Sequence, residues 1–233
     1  MVLTAAQRAA IDGHIRLLLA WTAAINLTAI RDPGEAAVAH VLDSLTAVPL
    51  LRSAGIDAFA DLGSGGGLPG LPLAIALPAQ RALLVESTGK KARFLETAVA
   101  AVMPEAHGGD VPGSVAPVAV AAVRAEALAR DPAHRGAWPC VTARAVAALP
   151  DLVELAVPLL GPGGILVAWK RGDLTGELDA GRRGLDALGG GRVELHPVEL
   201  PALAGHALVV VTAEGQAPAA YPRDPAARAR RPW

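Results

Sequence analysis

Ala58-Phe59-Ala60-Asp61-Leu62-Gly63-Ser64-Gly65-Gly66-Gly67-Leu68-Pro69-Gly70 reads as a short apolar strand closed by an acid, followed by a glycine-dense loop. The apolar stretch Leu71 to Leu77 continues it as the start of a buried helix. Glycine tolerates positive φ and has no side chain to keep a ligand from the backbone. A helix N-terminus behind such a loop favours an anionic group.

The pattern repeats outward from this stretch. Arg81 to Glu86 is a second apolar strand ending in an acid, and Lys90 to Val102 a helix. Val118 to Val123 and Cys140 to Ala143 are further strands. Leu149 to Leu160 is a helix interrupted late by Pro158, and Gly164 to Trp169 a fifth strand. Strands alternating with helices predict parallel βαβ units and a doubly wound, mostly parallel α/β sheet. Val193 to Leu200 and His206 to Thr212 are predicted to pair antiparallel.

Upstream, Thr4 and Gln7 form a capping-box pattern, and Ile11, Ile15, Leu18, Leu19 and Ala23 recur at helical spacing, so residues 4–25 are predicted helical. Asn26-Leu27-Thr28 breaks that helix, and Asp32-Pro33-Gly34-Glu35 turns into another carrying His40 and Asp43. Pro104 to Pro117 holds too many breakers for a regular element, and the tail from Pro218 is expected to be irregular. The expected organisation is a helical extension over 1–50, one domain over 51–217 and an Arg/Pro-rich tail over 218–233.

Composition narrows the class. The chain has 233 residues, 52% hydrophobic but only 3% aromatic, so Ala, Val and Leu must build the core. A net charge of −1 excludes a globally basic nucleic-acid binder and leaves only local patches. The single cysteine, Cys140, cannot form an intrachain disulfide and reads as a small core residue. No signal-peptide pattern and no bilayer-length apolar run is present, so a soluble cytoplasmic protein is expected. No His, Cys, Asp and Glu set has metal-ligand spacing, and no metal is expected.

Two cofactors suit the loop. Gly65, Gly67 and Gly70 satisfy the dinucleotide pattern G-x-G-x-x-G, which predicts a nicotinamide-dependent oxidoreductase. The other register, Asp61-x-Gly63-x-Gly65-x-Gly67, puts a carboxylate two residues before the first glycine. There it can hold an ammonium, directly or through water, whereas beside a pyrophosphate it would repel. Asp61 therefore tilts the reading toward S-adenosylmethionine, cradled by Asp61, Gly63, Ser64, Gly65, Gly67 and Leu68. Glu86, ending the next strand, is placed to accept from ribose hydroxyls.

Arg144 and Lys170 lie at or just past strand C-terminal ends, where open α/β sheets bind ligands, and are candidates near the target. Structural readings stand beside them: an ion pair for Arg144, and a solvated lysine with a buried stem for Lys170. Lys90, Lys91 and Arg93 could hold phosphates or form a solvated face. Trp138 and Trp169 could stack a base or pack on the sheet. His40 with Asp43 reads as a packing contact or a paired site.

Taken together, these motifs resemble the bacterial ribosomal small-subunit methyltransferase G family, also called glucose-inhibited division protein B. The resemblance spans about Trp21 to Gly172. It is carried by Asn26-Leu27-Thr28-Ala29-Ile30, His40-x-x-Asp43-Ser44-Leu45, Asp61 to Gly70, Glu86-Ser87, Lys90-Lys91-x-x-Phe94-Leu95, Arg124-Ala125-Glu126, Arg144-Ala145-Val146-Ala147 and Lys170. It implies a class I, Rossmann-like fold and transfer of a methyl group from S-adenosylmethionine to N7 of a guanine in 16S rRNA of the small ribosomal subunit, by a protein expected to be monomeric. It further implies cofactor contacts from Gly63, Leu68, Ala125, Glu126 and Arg144. A non-catalytic ribosome-assembly factor that kept the cofactor fold is an alternative. The chain departs from the family in its long 104–117 stretch. His206 stands where an Arg is usual before the last strand, and a Lys usual near Ala213 is missing. Residues 221 to 233 carry four Arg and one Asp, a net +3, so Arg223 and Arg228 join His206 as RNA-binding candidates.

Overall fold

A computed structural model describes residues 2–77, 81–106 and 118–233. The chain divides into two compact units, Met1–Ala122 and Val123–Trp233.

The first unit opens with α1 (Ala5–Ile25), capped by Thr4 and Gln7 in a reciprocal capping box and closed by Asn26 in the left-handed conformation. Its inward stripe is Ala10, Ile11, His14, Ile15, Leu18 and Thr22, and it packs on the helices over Gly89–Ala106 and Gly70–Ala76. Asp32 caps α2 (Pro33–Ala36) by accepting from Glu35 N–H. A π-helical stretch over Ala37–Leu42 carries α2 on into α3 (Asp43–Leu45), and α4 (Val48–Ser53) follows. Then come β1 (Ala58–Leu62), α5 (Gly70–Ala76), β2 (Arg81–Val85), α6 (Gly89–Ala106) and β3 (Val118–Ala121). All of β1 is buried, as a parallel strand covered on both faces requires. β2 lies between β1 and β3, parallel to both, with Asp61 opposite Leu84. The helix predicted over 90–102 continues to Ala106, with Pro104 inside it. Pro104, Glu105 and Ala106 are thus helical, which corrects the expected loop start; residues 107–117 lie outside the described residues.

The second unit holds α7 (Ala125–Arg130), β4 (Trp138–Arg144), α8 (Leu149–Ala156), β5 (Leu160–Arg171), α9 (Thr175–Ala187), β6 (Gly191–Pro197), β7 (His206–Ala213) and α10 (Pro225–Arg230). β4 and β5 are parallel, whereas β7 runs antiparallel between β5 and β6, as expected for the last pair. Among the described residues there are thus seven strands, mostly parallel and flanked by helices, the expected class.

Three helices of this unit, α7, α9 and α10, escaped the sequence reading. α7 has only six residues, and α9 contains Gly176, Gly181 and Gly184, which depress helix propensity. Packing explains two of those glycines. A Cβ on Gly181 would lie 2.7 Å from Leu149 Cδ2, and one on Gly184 3.2 Å from the Trp233 ring. The tail is irregular as expected over 218–224 and 231–233 but not at α10, and Arg223 and Arg228 fasten it to the unit. Trp138 is buried and stacks on His134 with ring centroids 6.0 Å apart, Trp169 is buried, and Cys140 is a core residue. No helix among the described residues is long and apolar enough to cross a membrane.

Candidate functional site

The glycine loop is assembled by three inward-facing side chains. Asp61 is fully buried, and its Oδ2 accepts from Gly70 N–H at 3.2 Å, at the start of α5. Asp61 thus supplies the negative charge that this helix end favours. That corrects the expectation of a carboxylate presented to an ammonium: no surface of Asp61 is open to a ligand. Ser64 is also turned inward, its Oγ donating to the Asp61 carbonyl at 2.9 Å. Its own carbonyl accepts from Gly67 and Leu68 N–H.

The third side chain comes from α1. His14 Nε2 lies 2.8 Å from the Gly66 carbonyl. A carbonyl only accepts, so Nε2 carries the proton and Nδ1 does not. Nδ1 is buried with no hydrogen-bond partner among the described residues. Burial pushes the imidazole from 6.5 down to about 4; the Gly66 bond opposes the shift and the charge of His40 adds to it. His14 is therefore neutral at physiological pH. The sequence carries a faint trace of this residue, a lone polar side chain within the apolar stripe of Ile11, Ile15 and Leu18.

The loop is consequently open at one end only. Gly63 is exposed and Gly65 half-buried, whereas Gly66, Gly67, Leu68 and Gly70 are buried. Gly63, Gly65 and Gly67 all have positive φ. A Cβ on Gly67 would stand 3.0 Å from His14 Nε2 and 3.3 Å from Leu71 Cβ. The dinucleotide register needs its second glycine bare so that a pyrophosphate can approach; here His14 and Leu71 fill that space. A Cβ on Gly65 would instead meet nothing nearer than 3.7 Å. The room beside the loop is at Gly63 and Gly65.

Glu86 stands at this open end. Its Oε2 accepts from Gly65 N–H at 3.1 Å and its Oε1 from Thr88 N–H at 2.7 Å. A carboxylate has about four lone-pair positions, so capacity remains for hydroxyl donors. The strand carrying Glu86 is itself held, since Glu86 N–H donates to the Ala121 carbonyl. Lys90 and Arg93 are exposed and Lys91 half-buried on the first turns of α6, in the same unit. His40 bonds Thr28 Oγ1 at 2.7 Å, and Asp43 is buried, so both sit in the packing of the helical extension.

The second unit holds the remaining candidates. Ala125 and Glu126 form the first turn of α7. The Glu126 carboxylate accepts from Arg228 Nη2 at 2.6 Å. Arg144 ends β4, opposite Trp169, and is followed by Ala145 at φ 57, one of two described non-glycine residues with positive φ. Lys170 is not a solvated lysine: its Nζ donates to the Ala147 carbonyl at 2.9 Å and pairs with Glu177. His206 begins β7, opposite Arg171. Arg223 is drawn onto fully buried Glu154, donating through Nε and Nη2, and lies 4.3 Å over the Trp233 ring. Arg223 and Arg228 are thus both ion-paired to carboxylates of the same unit. Among the described residues, no group of three or more His, Cys, Asp and Glu could hold a metal.

Comparison with known proteins agrees with the resemblance in the sequence. Residues 7–198 match the profile of GidB, rRNA small subunit methyltransferase G. The chain is 40% identical over 215 residues to the ribosomal RNA small subunit methyltransferase G of Roseiflexus castenholzii, covering 92% of this chain and 87% of that protein. With the protein of the same name from Rubrobacter xylanophilus it shares 41% over 223 residues, 93% of this chain and 80% of that one. A Corynebacterium glutamicum protein of known structure superposes with a TM-score of 0.50 at 19% identity, covering 86% of this chain and 89% of that chain. The Methanococcus jannaschii fibrillarin pre-rRNA processing protein also reaches 0.50, at 16% identity, over 69% and 68% of the two chains. These two likenesses speak to the fold alone, a Rossmann-like α/β sheet. Neither the oxidoreductase nor the non-catalytic alternative gains support. The chain belongs to the GidB family, the rRNA small subunit methyltransferases G.

Proposed function

We propose that this protein binds S-adenosylmethionine at the open end of the glycine loop and methylates N7 of a guanine in 16S rRNA of the small ribosomal subunit, in the cytoplasm. The observation that carries the reading is the Glu86 carboxylate held against Gly65, beside the exposed backbone of Gly63, in a chain of this family. The donor set fits the cofactor: unshielded loop backbone, and a carboxylate with acceptor capacity left for ribose hydroxyls.

When bound, the cofactor would supply an electrophilic methyl group on a cationic sulfur. Glu86 would accept from the ribose hydroxyls while Gly65 N–H keeps its carboxylate in place. His14, Ser64 and Asp61 hold the loop rigid from behind, so its open face is set before any ligand arrives. The first turn of α7, at Ala125 and Glu126, is the expected further contact in the second unit. Guanine N7 carries a free lone pair and loses no proton on methylation, so no side chain is assigned as a base. What the chain must supply is alignment of N7 with the methyl carbon. A donor on N7 would occupy the attacking pair, so recognition of the base must fall on O6, a task suited to Arg144 at its strand end.

The test pairs calorimetry with a labelling assay. Purified protein should bind S-adenosylhomocysteine, and Glu86→Ala should weaken that binding at least tenfold while leaving the fold intact. Small subunits lacking the modification, incubated with methyl-labelled cofactor, should acquire label at guanine N7 of 16S RNA. Label on another atom or another RNA, or no cofactor binding by folded protein, overturns the proposal.

A further inference from the structure

The turn after β4 is held in an unfavourable shape. Ala145 adopts φ 57, a left-handed conformation in which its Cβ crowds the following carbonyl. Such backbone persists only where its surroundings over-determine it. Ala145 and Val146 are exposed, so the turn gains little from its own burial.

The constraint is supplied from outside the turn. Lys170, near the end of β5, donates from Nζ to the Ala147 carbonyl at 2.9 Å. Glu177, in the first turn of α9, accepts from Leu149 N–H, and the same Oε1 contacts Lys170 Nζ. One charged pair thus grips a carbonyl on one side of Ala148 and an N–H on the other. The two side chains are only 13% and 26% exposed, so water competes weakly for these bonds. One helical turn beyond Glu177, Gly181 lets Leu149 seat directly on α9, which sets the height of α9 against the turn.

We propose that Lys170 and Glu177 form a brace for the Arg144–Leu149 turn, which makes Glu177 a positioning residue for the target base and Lys170 its partner in that task. The inference rests on the proposed reading that the β4 end at Arg144 serves the methyl acceptor. The brace is assigned to the acceptor side because both residues bond to the segment that directly follows Arg144. A direct contact between Lys170 and RNA makes a different prediction, since freeing Lys170 from Glu177 would then help binding or leave it unchanged.

The test is a double-mutant cycle on the full-length protein with unmodified small subunits as substrate. Lys170→Met and Glu177→Ala should each lower kcat by roughly tenfold or more, and the double variant should be no worse than the poorer single one. S-adenosylhomocysteine affinity should stay within about twofold of wild type, which a general loss of folding would not allow. Glu177→Gln, which keeps an acceptor for Leu149 N–H, should recover part of the loss. Additive losses, an undisturbed Glu177→Ala enzyme, or a Lys170 effect confined to KM for the subunit would each overturn the brace. If wild-type protein itself fails to label 16S RNA, the functional reading fails instead, and the two failures are distinguishable.

Discussion

His14 and Gly66 are 52 residues apart in sequence, yet the imidazole Nε2 sits 2.8 Å from the glycine carbonyl, entirely shielded from water. Through that bond a helix preceding the glycine loop shapes the loop from behind. The same imidazole closes the space at Gly67 that a dinucleotide would need.

The His14 environment makes stability depend on pH in a defined window. Its folded pKa is about 4 against 6.5 ordinarily, so the neutral form is the one that folding selects. Above pH 6.5 neither state is protonated and the full contribution is present. As pH falls below 6.5 the unfolded chain takes up a proton that the folded chain refuses, and stability declines until about pH 4. Between pH 7 and 4.5 this single group should remove on the order of 2 to 3 kcal/mol. Urea unfolding of wild type and His14→Gln across that range checks it. The variant keeps a donor for Gly66 and should lose correspondingly less; equal losses in both proteins would refute the coupling.

Glu154 is a fully buried carboxylate paired with Arg223. It accepts from Arg223 N–H, Nε and Nη2 and from Trp233 Nε1. Arg223→Ala should cost about 3–5 kcal/mol, because it strands a carboxylate that has no access to water. Adding Glu154→Leu to that variant should restore much of the loss, since the uncompensated charge disappears with it. Chemical denaturation of the three variants measures both steps, and a double variant no more stable than Arg223→Ala would show the reading to be wrong.

Arg228 links the tail to the first turn of α7. Burial works to raise the Glu126 pKa, yet it lies below the ordinary carboxylate value, because the hydrogen bond and charge of Arg228, the local backbone and Arg124 together outweigh burial. The contribution of this pair is therefore present above the ordinary carboxylate pKa and is lost as pH falls through the depressed one. In Arg228→Ala the Glu126 pKa should rise toward or beyond its ordinary value, as a carboxyl-resolved NMR titration would detect. If the α7 turn serves the cofactor as proposed, S-adenosylhomocysteine affinity should also weaken, by roughly tenfold or about 1.4 kcal/mol. An unmoved titration would contradict the pairing.

Much of the fold was legible because its signals are local. The strand, acid and glycine loop at 58–70, the capping box at Thr4 and the alternation of strands with helices need only neighbouring residues to be recognised, and the sheet class follows from them. α9 was hidden by glycines whose value appears only against Leu149 and Trp233. Two of the four arginines of the tail looked like part of an RNA patch because their partners lie far back in the chain: Glu154 is 69 residues from Arg223 and Glu126 is 102 from Arg228.

Asp61 and Glu86 show the same division at the site. Both end strands, and both read alike in one dimension. Folding buries both, Asp61 completely under the start of α5 and Glu86 to 7% exposure against Gly65 at the open end of the loop. Residue type and local spacing sufficed to announce a glycine loop flanked by acids and the family that uses it. Which acid is locked under α5 and which is bonded at the open end of the loop, which arginines are ion-paired and what holds the Ala145 turn were settled by through-space contacts. Charge pairing and desolvation depend on distance in three dimensions, and separation along the chain carries no record of it.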